Sequence, residues 1–303
     1  MSYLLSTKLK PIAKKLRGEF ESILKDHHSP RRFQWDWWHL PGRYTHLRTP
    51  AATFFSQENH ELLREALQDF GRQHLGCQNI SPIWVSAYVE GCEQRLHADR
   101  PHGPWAFVLS LTKDPRAFEG GETVILRPEV LSLWNQGVPA GRAFEEKEVL
   151  ERIPSEFGRL VIFDPRIPHG VSRTSGTLDP LEGRLVVHGW FAQPSPFIEG
   201  PLAPAAAEKS LAAFDEFLAQ SLEASFPDGF NSTGTISFQI HITPTGQVKG
   251  VKQQASSLAS ANPELTLHET RLLTSILKKH FTKWAFPRAK SASTLYLPLS
   301  FEH

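Results

Sequence analysis

The sequence predicts a mainly β protein with flanking helices, followed by a small α+β domain. Apolar and polar residues alternate in several runs between Trp84 and Phe191, which is the pattern of half-buried strands. Four prolines between positions 194 and 204 indicate a linker. After Gly229, two alternating runs, a helical pattern and a last alternating run predict the order ββαβ. The expected boundaries are 1–198 for the first domain with its core at 82–192, 199–228 for a linker and helix, and 229–303 for the last domain.

Composition narrows the possible functions. The chain has 303 residues, and its 33 Lys and Arg nearly balance its 32 Asp and Glu. This balance gives no general attraction for nucleic acid or for a membrane surface. The apolar runs are too short to span a bilayer. With only Cys77 and Cys92, a disulfide framework is not expected, and a cytoplasmic location is predicted.

Two amphipathic helices are predicted before the strands begin. Apolar residues recur at helical spacing between Thr7 and Lys25, with Lys and Arg between them. The second helix begins after Ser56, a good N-cap residue, and ends before Gly76, which suits a helix C-terminus. The basic face of the first helix would also suit a membrane surface. We favour packing of both helices against the sheet.

Aromatic residues are dense between these helices. They are Phe33, Trp35, Trp37, Trp38 and Tyr44. An exposed aromatic groove for a substrate is one interpretation, but aromatic side chains usually bury area in a core. We therefore predict core positions for them.

Three residues predict a metal site. His97 and Asp99 are two apart, so an extended backbone projects both to the same side. His169 follows a buried strand that ends at Asp164-Pro165. Two imidazoles and one carboxylate are the set that holds non-haem Fe(II) on one face and leaves other positions open. The same three ligands would also suit a zinc hydrolase.

A basic residue accompanies this ligand set. Arg184 begins the last core strand, and alternation places it on one face with His188 and Trp190. Its permanently charged, forked guanidinium suits a carboxylate. Arg173 is the competing choice because it is nearer to His169 in sequence, but it lies in a loop that lacks the alternation.

The strand pattern leaves two alternative roles open for each of two further residues. A fourth metal ligand at His188 would leave too few open positions for oxygen chemistry, so a hydrogen bond beside the metal or core packing is expected. Tyr88 shares a strand face with Trp84 and Ser86. It is either a pocket residue or a core tyrosine with a satisfied hydroxyl.

Taken together, these residues resemble the prolyl-4-hydroxylase-like branch of the iron- and 2-oxoglutarate-dependent dioxygenases. Gly120-Gly121-Glu122-Thr123 matches a motif of that family, and Trp190-Phe191 follows Arg184 at the family's spacing. The resemblance implies a double-stranded β-helix (jelly-roll) core. It also implies that Glu122 is part of a turn and strand and is not a metal ligand.

The resemblance assigns the site as follows. It implies Fe(II) at His97, Asp99 and His169, and 2-oxoglutarate held by Arg184. It places Tyr88, Trp190 and His188 beside the cosubstrate, with O2 as the second cosubstrate and ascorbate as a candidate reductant.

This chemistry would hydroxylate an unactivated C–H bond and release succinate and CO2. The expected substrate is a peptidyl, prolyl-like residue or an amino acid. Residues 127–157 look like an insertion that covers the substrate, because long charged loops in compact domains are often lids. The alternative function is a metal-binding scaffold that recruits a partner through its C-terminal domain.

The C-terminal domain has a resemblance of its own. Gly-Gln-Val after the turn, Trp-x-Phe-Pro after the helix and Pro-Leu-x-Phe at the end resemble the TonB C-terminal fold and the AgmX/PglI C-terminal domains. A single helix is predicted before it, over 205–226. The resemblance implies a protein partner, bound by addition of a strand to the sheet edge.

Overall fold

The computed structural model describes residues 3–99, 102–127, 130, 145–192, 194–212, 214–227, 229–260 and 262–302. The chain divides into two compact units. The first comprises residues 1–69 and 79–193, and the second comprises residues 70–78 and 194–303.

The first unit contains one curled antiparallel sheet of twelve strands. Its strands are β1 (Tyr3–Ser6), β2 (Asp36–Leu40), β3 (Tyr44–Pro50), β4 (Asn79–Ile80), β5 (Trp84–Tyr88), β6 (Glu93–His97), β7 (Trp105–Ser110), β8 (Thr123–Leu126), β9 (Leu150–Ile153), β10 (Leu160–Phe163), β11 (His169–Val171) and β12 (Arg184–Ala192). The strand order is β1-β10-β7-β12-β5-β3-β6-β11-β8-β9, with β2 beside β3 and β4 beside β12. The non-sequential order places β6 beside β11, although these two strands are far apart in the chain, and includes β12 in the same sheet.

Helices flank this sheet. They are α1 (Lys10–Lys25), α2 (Ala51–Phe54), α3 (Gln57–Leu75) and α4 (Glu146–Val149). α1 buries Leu16, Phe20 and Ile23 on its apolar face. It begins at Lys10 and not at the predicted Thr7, and its early proline suits the first turn because a proline there loses no hydrogen bond.

The predicted ends of the second helix are confirmed for α3. The Ser56 hydroxyl accepts a hydrogen bond from the Asn59 amide at 3.3 Å, as an N-cap residue does. Gly76 follows the last turn with a φ of +70°, a left-handed conformation that favours glycine. Within the second unit, the Leu75 carbonyl at this helix end accepts a 2.6 Å hydrogen bond from the Ser237 hydroxyl.

The aromatic stretch before Tyr44 is not the core that the sequence predicts. Phe33 is 75% exposed and Trp37 is 58% exposed. Trp35 packs on Phe54 with ring centroids 5.1 Å apart, but Trp38 and Tyr44 line a cavity. The physical reason is that β2 pairs with β3 alone among the described strands, so it is an edge strand, and each of its residues other than Trp38 is exposed.

The expected insertion at 127–157 is partly a strand. β9 pairs with β8 from Thr123 opposite Ile153 to Leu126 opposite Leu150. Residues 150–153 thus extend the sheet, and a substrate-covering role for this segment stays a prediction. Residues 128–129 and 131–144 lie outside the described part of the chain.

The second unit has the predicted ββαβ order. It contains β13 (Phe197–Glu199), α5 (Pro204–Leu211), α6 (Phe214–Ser225), β14 (Gly234–Ile242), β15 (Val248–Ser256), α7 (Pro263–Thr282) and β16 (Ser293–Phe301). Its sheet order is β13-β16-β14-β15. The Asn262 side chain caps α7 by accepting from the Glu264 and Leu265 amides.

The segment before Gly229 differs from the expectation in two ways. The single helix predicted over 205–226 is wrong, because the Ala212 amide bonds back to the Lys209 carbonyl in a tighter turn that ends α5. Leu202 of the expected linker also joins the hydrophobic core of the second unit, as do Phe214 and Leu218 of the expected helix. Residues expected to form a linker thus pack within this unit.

The fold class predicted from the sequence is confirmed. The protein is mainly β with flanking helices, and its curled antiparallel sheet is of the jelly-roll kind. Cys77 and Cys92 are both buried and free. Among the described residues, no helix is long and apolar enough to cross a membrane.

Candidate active site

Neighbouring strands bring the three predicted metal ligands together. His97 is the last residue of β6 and pairs directly with His169, the first residue of β11. Asp99 follows His97 by two residues, and its amide donates a 2.9 Å hydrogen bond to the Pro165 carbonyl. The backbone therefore fixes all three positions before any metal binds.

The ligand atoms face one point. Asp99 Oδ1 lies 3.5 Å from His97 Nε2, and Asp99 Oδ2 lies 3.5 Å from His169 Nε2. One candidate ligand atom from each residue falls within 4.8 Å of the others. Two imidazole nitrogens and one carboxylate oxygen at these distances can hold a single divalent ion.

Backbone carbonyls orient both imidazoles. His97 Nδ1 is 2.9 Å from the Arg95 carbonyl, and His169 Nδ1 is 2.9 Å from the Ile167 carbonyl. Each Nδ1–H therefore donates, and each Nε2 keeps its lone pair on the side of Asp99. The Gln94 amide donates to His97 Nε2 at 3.1 Å, and a metal ion would take its place. The donor set fits a metal ligated by Nε2.

The charges of the site are already those of a metal-binding set. Burial raises the pKa of Asp99, but the hydrogen bond and charge of His169 and the charge of His97 bring it below its usual value. Burial and the neighbouring His169 lower the pKa of His97. An ionised carboxylate beside a neutral imidazole is the protonation state that metal binding requires.

Arg184 lies in the same cavity as these ligands and is 2% exposed. Its Nη2 donates to the Thr123 hydroxyl at 3.2 Å, and its guanidinium carbon lies 4.6 Å from the centre of the Tyr88 ring. Its Nε and Nη1 are buried and have no hydrogen-bond partner among the described residues. A buried cation with two unused donors is costly unless a carboxylate binds there. Arg173, the competing choice, is exposed and does not line the cavity.

Three other predicted residues also line this cavity. The Tyr88 hydroxyl donates to Gln94 Oε1 at 3.4 Å, and Tyr88 is 3% exposed. His188 Nε2 lies 2.8 Å from the Ser86 hydroxyl, which is a hydrogen-bonding role beside the ligand set. Trp190 stacks on His102 with ring centroids 4.5 Å apart, and its buried Nε1 has no partner among the described residues.

Glu122, the acidic residue of the glycine motif, is not in the ligand group. Its carboxylate accepts hydrogen bonds from the Ser172 hydroxyl and from the Arg152 guanidinium. The two glycines before it have φ values of +75° and +70°, which a tight turn into β8 requires.

The sequence analysis missed one wall of the cavity. Tyr44, His46 and Arg48 alternate along β3 and all line the cavity. Their period of two, directly after the turn at Gly42, is the signal that could have found them. Trp38 of β2, which faces His46 across the hairpin, completes this wall.

His46 predicts a pH dependence of stability. It is 4% exposed, and burial together with the charge of Arg48 lowers its pKa to about 4. Its unfolded pKa is about 6.5, so the unfolded chain binds more protons between these values. The stability contribution is present above pH 6.5 and is lost as the pH falls towards 4.

Between pH 7.5 and pH 5, we therefore expect the free energy of unfolding to fall by about 2 kcal/mol more in the wild type than in His46→Gln. Urea unfolding of the metal-free protein at both pH values measures this. An unchanged pH dependence in the variant would show that His46 is not a buried neutral histidine.

The cavity has a volume of about 930 Å³. The ligand triad and Arg184 both line it. Among the described residues that line it, Asp99 is the one acidic side chain, while four are arginines: Arg43, Arg48, Arg95 and Arg184. The cavity is therefore suited to anionic ligands.

Comparison with known protein families agrees with this geometry. Residues 83–192 match the 2OG-Fe(II) oxygenase superfamily, and this range includes the ligand triad and Arg184. No curated protein matches the chain.

Several solved structures align with part of this chain. A prolyl-4-hydroxylase from Pseudomonas putida aligns at 16% identity with a TM-score of 0.46, over 63% of this chain and 92% of that one. A prolyl hydroxylase from Trichoplax adhaerens, in complex with a hypoxia inducible factor peptide, aligns at 11% identity with a TM-score of 0.44, over 63% and 83%. HygX from Streptomyces hygroscopicus, with nickel and 2-oxoglutarate bound, aligns at 13% identity with a TM-score of 0.39, over 62% and 81%. At these identities, the substrates of those proteins do not indicate the substrate of this chain.

The family match defines residues 83–192 as a 2OG-Fe(II) oxygenase domain. The protein is accordingly a 2-oxoglutarate-dependent Fe(II) dioxygenase. This class uses Fe(II), 2-oxoglutarate and O2.

Proposed function

We propose that His97, Asp99 and His169 bind Fe(II) and that Arg184 binds the distal carboxylate of 2-oxoglutarate. The observation that carries this assignment is the buried Arg184 fork, whose Nε and Nη1 have no partner among the described residues in a cavity shared with the ligand triad. A carboxylate would accept from the unpartnered Nη1 at the end of the guanidinium, and charge-assisted hydrogen bonds of this kind are about twice as strong as neutral ones.

Each neighbouring residue has a defined task in this proposal. The carbonyls of Arg95 and Ile167 keep Nε2 of both histidines available for the metal. Thr123 and the Tyr88 ring hold the Arg184 guanidinium in place. When bound, Fe(II) and 2-oxoglutarate supply the activation of O2, with succinate and CO2 as products. The surrounding cavity then holds the substrate C–H bond beside the metal.

The rival functions account for less of this arrangement. A zinc hydrolase would use the same three ligands but leaves the unpaired Arg184 without a purpose. A scaffold protein has no need for a buried cation aimed into a metal-binding cavity, because such a charge costs stability.

For the reaction, we propose hydroxylation of an amino-acid or peptidyl, prolyl-like substrate, with ascorbate as a reductant. Tyr88, Trp190 and His188 would border the cosubstrate. A cytoplasmic location is part of the proposal, and the two free cysteines agree with a reducing compartment.

The test is anaerobic titration of the Fe(II)-loaded protein with 2-oxoglutarate. Chelation of the metal should produce a visible metal-to-ligand charge-transfer band, and Arg184→Ala should shift its midpoint to much higher 2-oxoglutarate concentration. Arg173→Ala is the matched control, since Arg173 is exposed and lies outside the cavity, and it should titrate like the wild type. Tight iron binding without a band would reject the oxygenase assignment of this site.

For the second unit, we propose protein binding in the manner of the TonB C-terminal fold. Its support is the ββαβ order and the position of β15 at the edge of the sheet β13-β16-β14-β15. An edge strand can accept a strand from a partner. Hydrogen exchange tests this, because β15 amides should become protected when a partner is added and should be unaffected by a non-binding control protein.

A further inference from the structure

A second arginine of the cavity is not used by the metal or by the cosubstrate. Arg48 lies on β3 opposite Ser86 of β5, and it lines the same cavity as the ligand triad. Two indole rings hold it: its guanidinium carbon lies 3.6 Å from the centre of the Trp84 ring and 4.5 Å from that of Trp38. We call these three residues the Arg48 clamp.

The clamp fixes the guanidinium without neutralising it. Stacking on aromatic faces is an interaction that arginine makes well and that restricts its side-chain motion. Arg48 Nε is buried and has no hydrogen-bond partner among the described residues. Burial lowers the pKa of Arg48 to about 10, so the side chain remains charged at neutral pH. The clamp is a preorganised cation that lacks an anion.

The charge balance of the cavity points to the origin of that anion. The charges of a ferrous ion, the Asp99 carboxylate, the Arg184 guanidinium and dianionic 2-oxoglutarate cancel one another. Of the other arginines that line the cavity, Arg43 and Arg95 are exposed, so Arg48 is the partly buried cation that is left over, and Asp99 is the one acidic side chain among the described lining residues. A partly buried, uncompensated cation favours a ligand that brings its own negative charge.

We propose that the Arg48 clamp binds a carboxylate of the substrate, and that the substrate is a free acid such as an amino or imino acid. This inference rests on the proposed function and narrows its substrate class. The planar fork of Arg48 matches a carboxylate, while Trp38 and Trp84 offer apolar surface to the carbon skeleton attached to it. The clamp and the ligand triad line one cavity, so a small molecule held by its carboxylate at Arg48 would occupy the same cavity as the metal. An internal peptide residue has no carboxylate of its own to place there.

The experiment measures binding and not turnover. Protein loaded with Mn(II) and 2-oxoglutarate is titrated by calorimetry with matched pairs of acid and amide: cyclopentanecarboxylate with its carboxamide, and L-proline with L-prolinamide. A capped peptide without any carboxylate, acetyl-Gly-Pro-Gly-amide, is the peptide arm, and Gly-Pro with a free C-terminus is its carboxylate-bearing counterpart. In the wild type, we expect at least one acid to bind roughly 10- to 100-fold more tightly than its amide.

Two substitutions locate that preference. Arg48→Met keeps an apolar stem between the indoles and should reduce acid binding to the level of the amide. Arg48→Lys keeps a charge and should retain part of the preference. Arg116→Met is the control, because the Arg116 side chain is 88% exposed and lies outside the cavity. An unchanged affinity for 2-oxoglutarate in all variants shows that the site is folded and that Arg184 alone serves the cosubstrate.

Several results would overturn the inference. The wild type could bind no acid more tightly than its amide. The capped peptide could bind as well as the free acids, or Gly-Pro could be the one acid that binds more tightly than its carboxylate-free counterpart. Loss of 2-oxoglutarate binding in Arg48→Met would instead assign Arg48 to the cosubstrate. The wild-type comparison needs no variant, so a misfolded variant does not remove the test. A charge-transfer band without any acid preference would reject this inference alone, whereas a missing band would reject the proposed function beneath it.

Discussion

Asp99→Ala is expected to abolish Fe(II)-dependent turnover and to weaken Fe(II) binding by more than 100-fold, which is beyond the usual cost of losing an outer hydrogen-bond partner of a metal ligand. Asp99 supplies the one anionic ligand of the set, and its oxygens lie 3.5 Å from Nε2 of both His97 and His169. Without it, two neutral imidazoles would have to hold the ion, and the cavity would have no other acidic side chain among its described lining residues.

Glu122→Gln is the matched control for this change. Glu122 is also acidic and follows the glycine turn, but it bonds Ser172 and Arg152 and lies outside the ligand group. Equilibrium binding of Fe(II) under anaerobic conditions, followed by succinate release in air, measures both variants. The ligand assignment is wrong if Asp99→Ala binds iron as the wild type does, or if Glu122→Gln loses it.

The second large effect is expected at Arg184, where a substitution should weaken cosubstrate binding without lowering the stability of the fold. Arg184→Met should lower 2-oxoglutarate affinity by about 100-fold, since it removes a charged, two-donor partner of a carboxylate. The same change should leave the cosubstrate-free protein at least as stable as the wild type. A buried guanidinium with two unpaired donors is costly, and an apolar side chain of similar length replaces it at a gain of about 1–4 kcal/mol.

Thermal unfolding with and without 2-oxoglutarate measures this separation. In the metal-loaded wild type, the cosubstrate should raise Tm because it binds the folded state alone. In Arg184→Met, the starting Tm should be equal or higher and the cosubstrate should add little. Iron affinity should be unchanged, because Arg184 is not in the ligand group. A variant that is strongly destabilised without cosubstrate would mean that Arg184 is a structural cation.

Sequence periodicity located most of the site before the fold was known. His97 and Asp99 share a side because they are two residues apart in extended chain, and Arg184, His188 and Trp190 share a face of β12 for the same reason. These are local properties of a strand, which the order of residue types determines directly. The ββαβ order of the second unit was predictable on the same grounds.

The tertiary structure determined the side-chain contacts that depend on which strands are neighbours. The pairing of β3 with β5 places Arg48 opposite Ser86, and the adjacent hairpin strand β2 brings Trp38 over Arg48. It also left Phe33 and Trp37 exposed, against the prediction of core positions.

The sequence by itself therefore predicted the candidate metal ligands, the basic residue beside them and the class of chemistry. Only the tertiary structure showed that Nε and Nη1 of Arg184 lack a partner among the described residues, and that a second cation, Arg48, is held by two indole rings of the same cavity. The physical reason is that alternation fixes which side of its own strand a residue faces. Which strands lie beside it, and thus whether a buried charge finds an opposite one, depends on long-range pairing that no local pattern encodes.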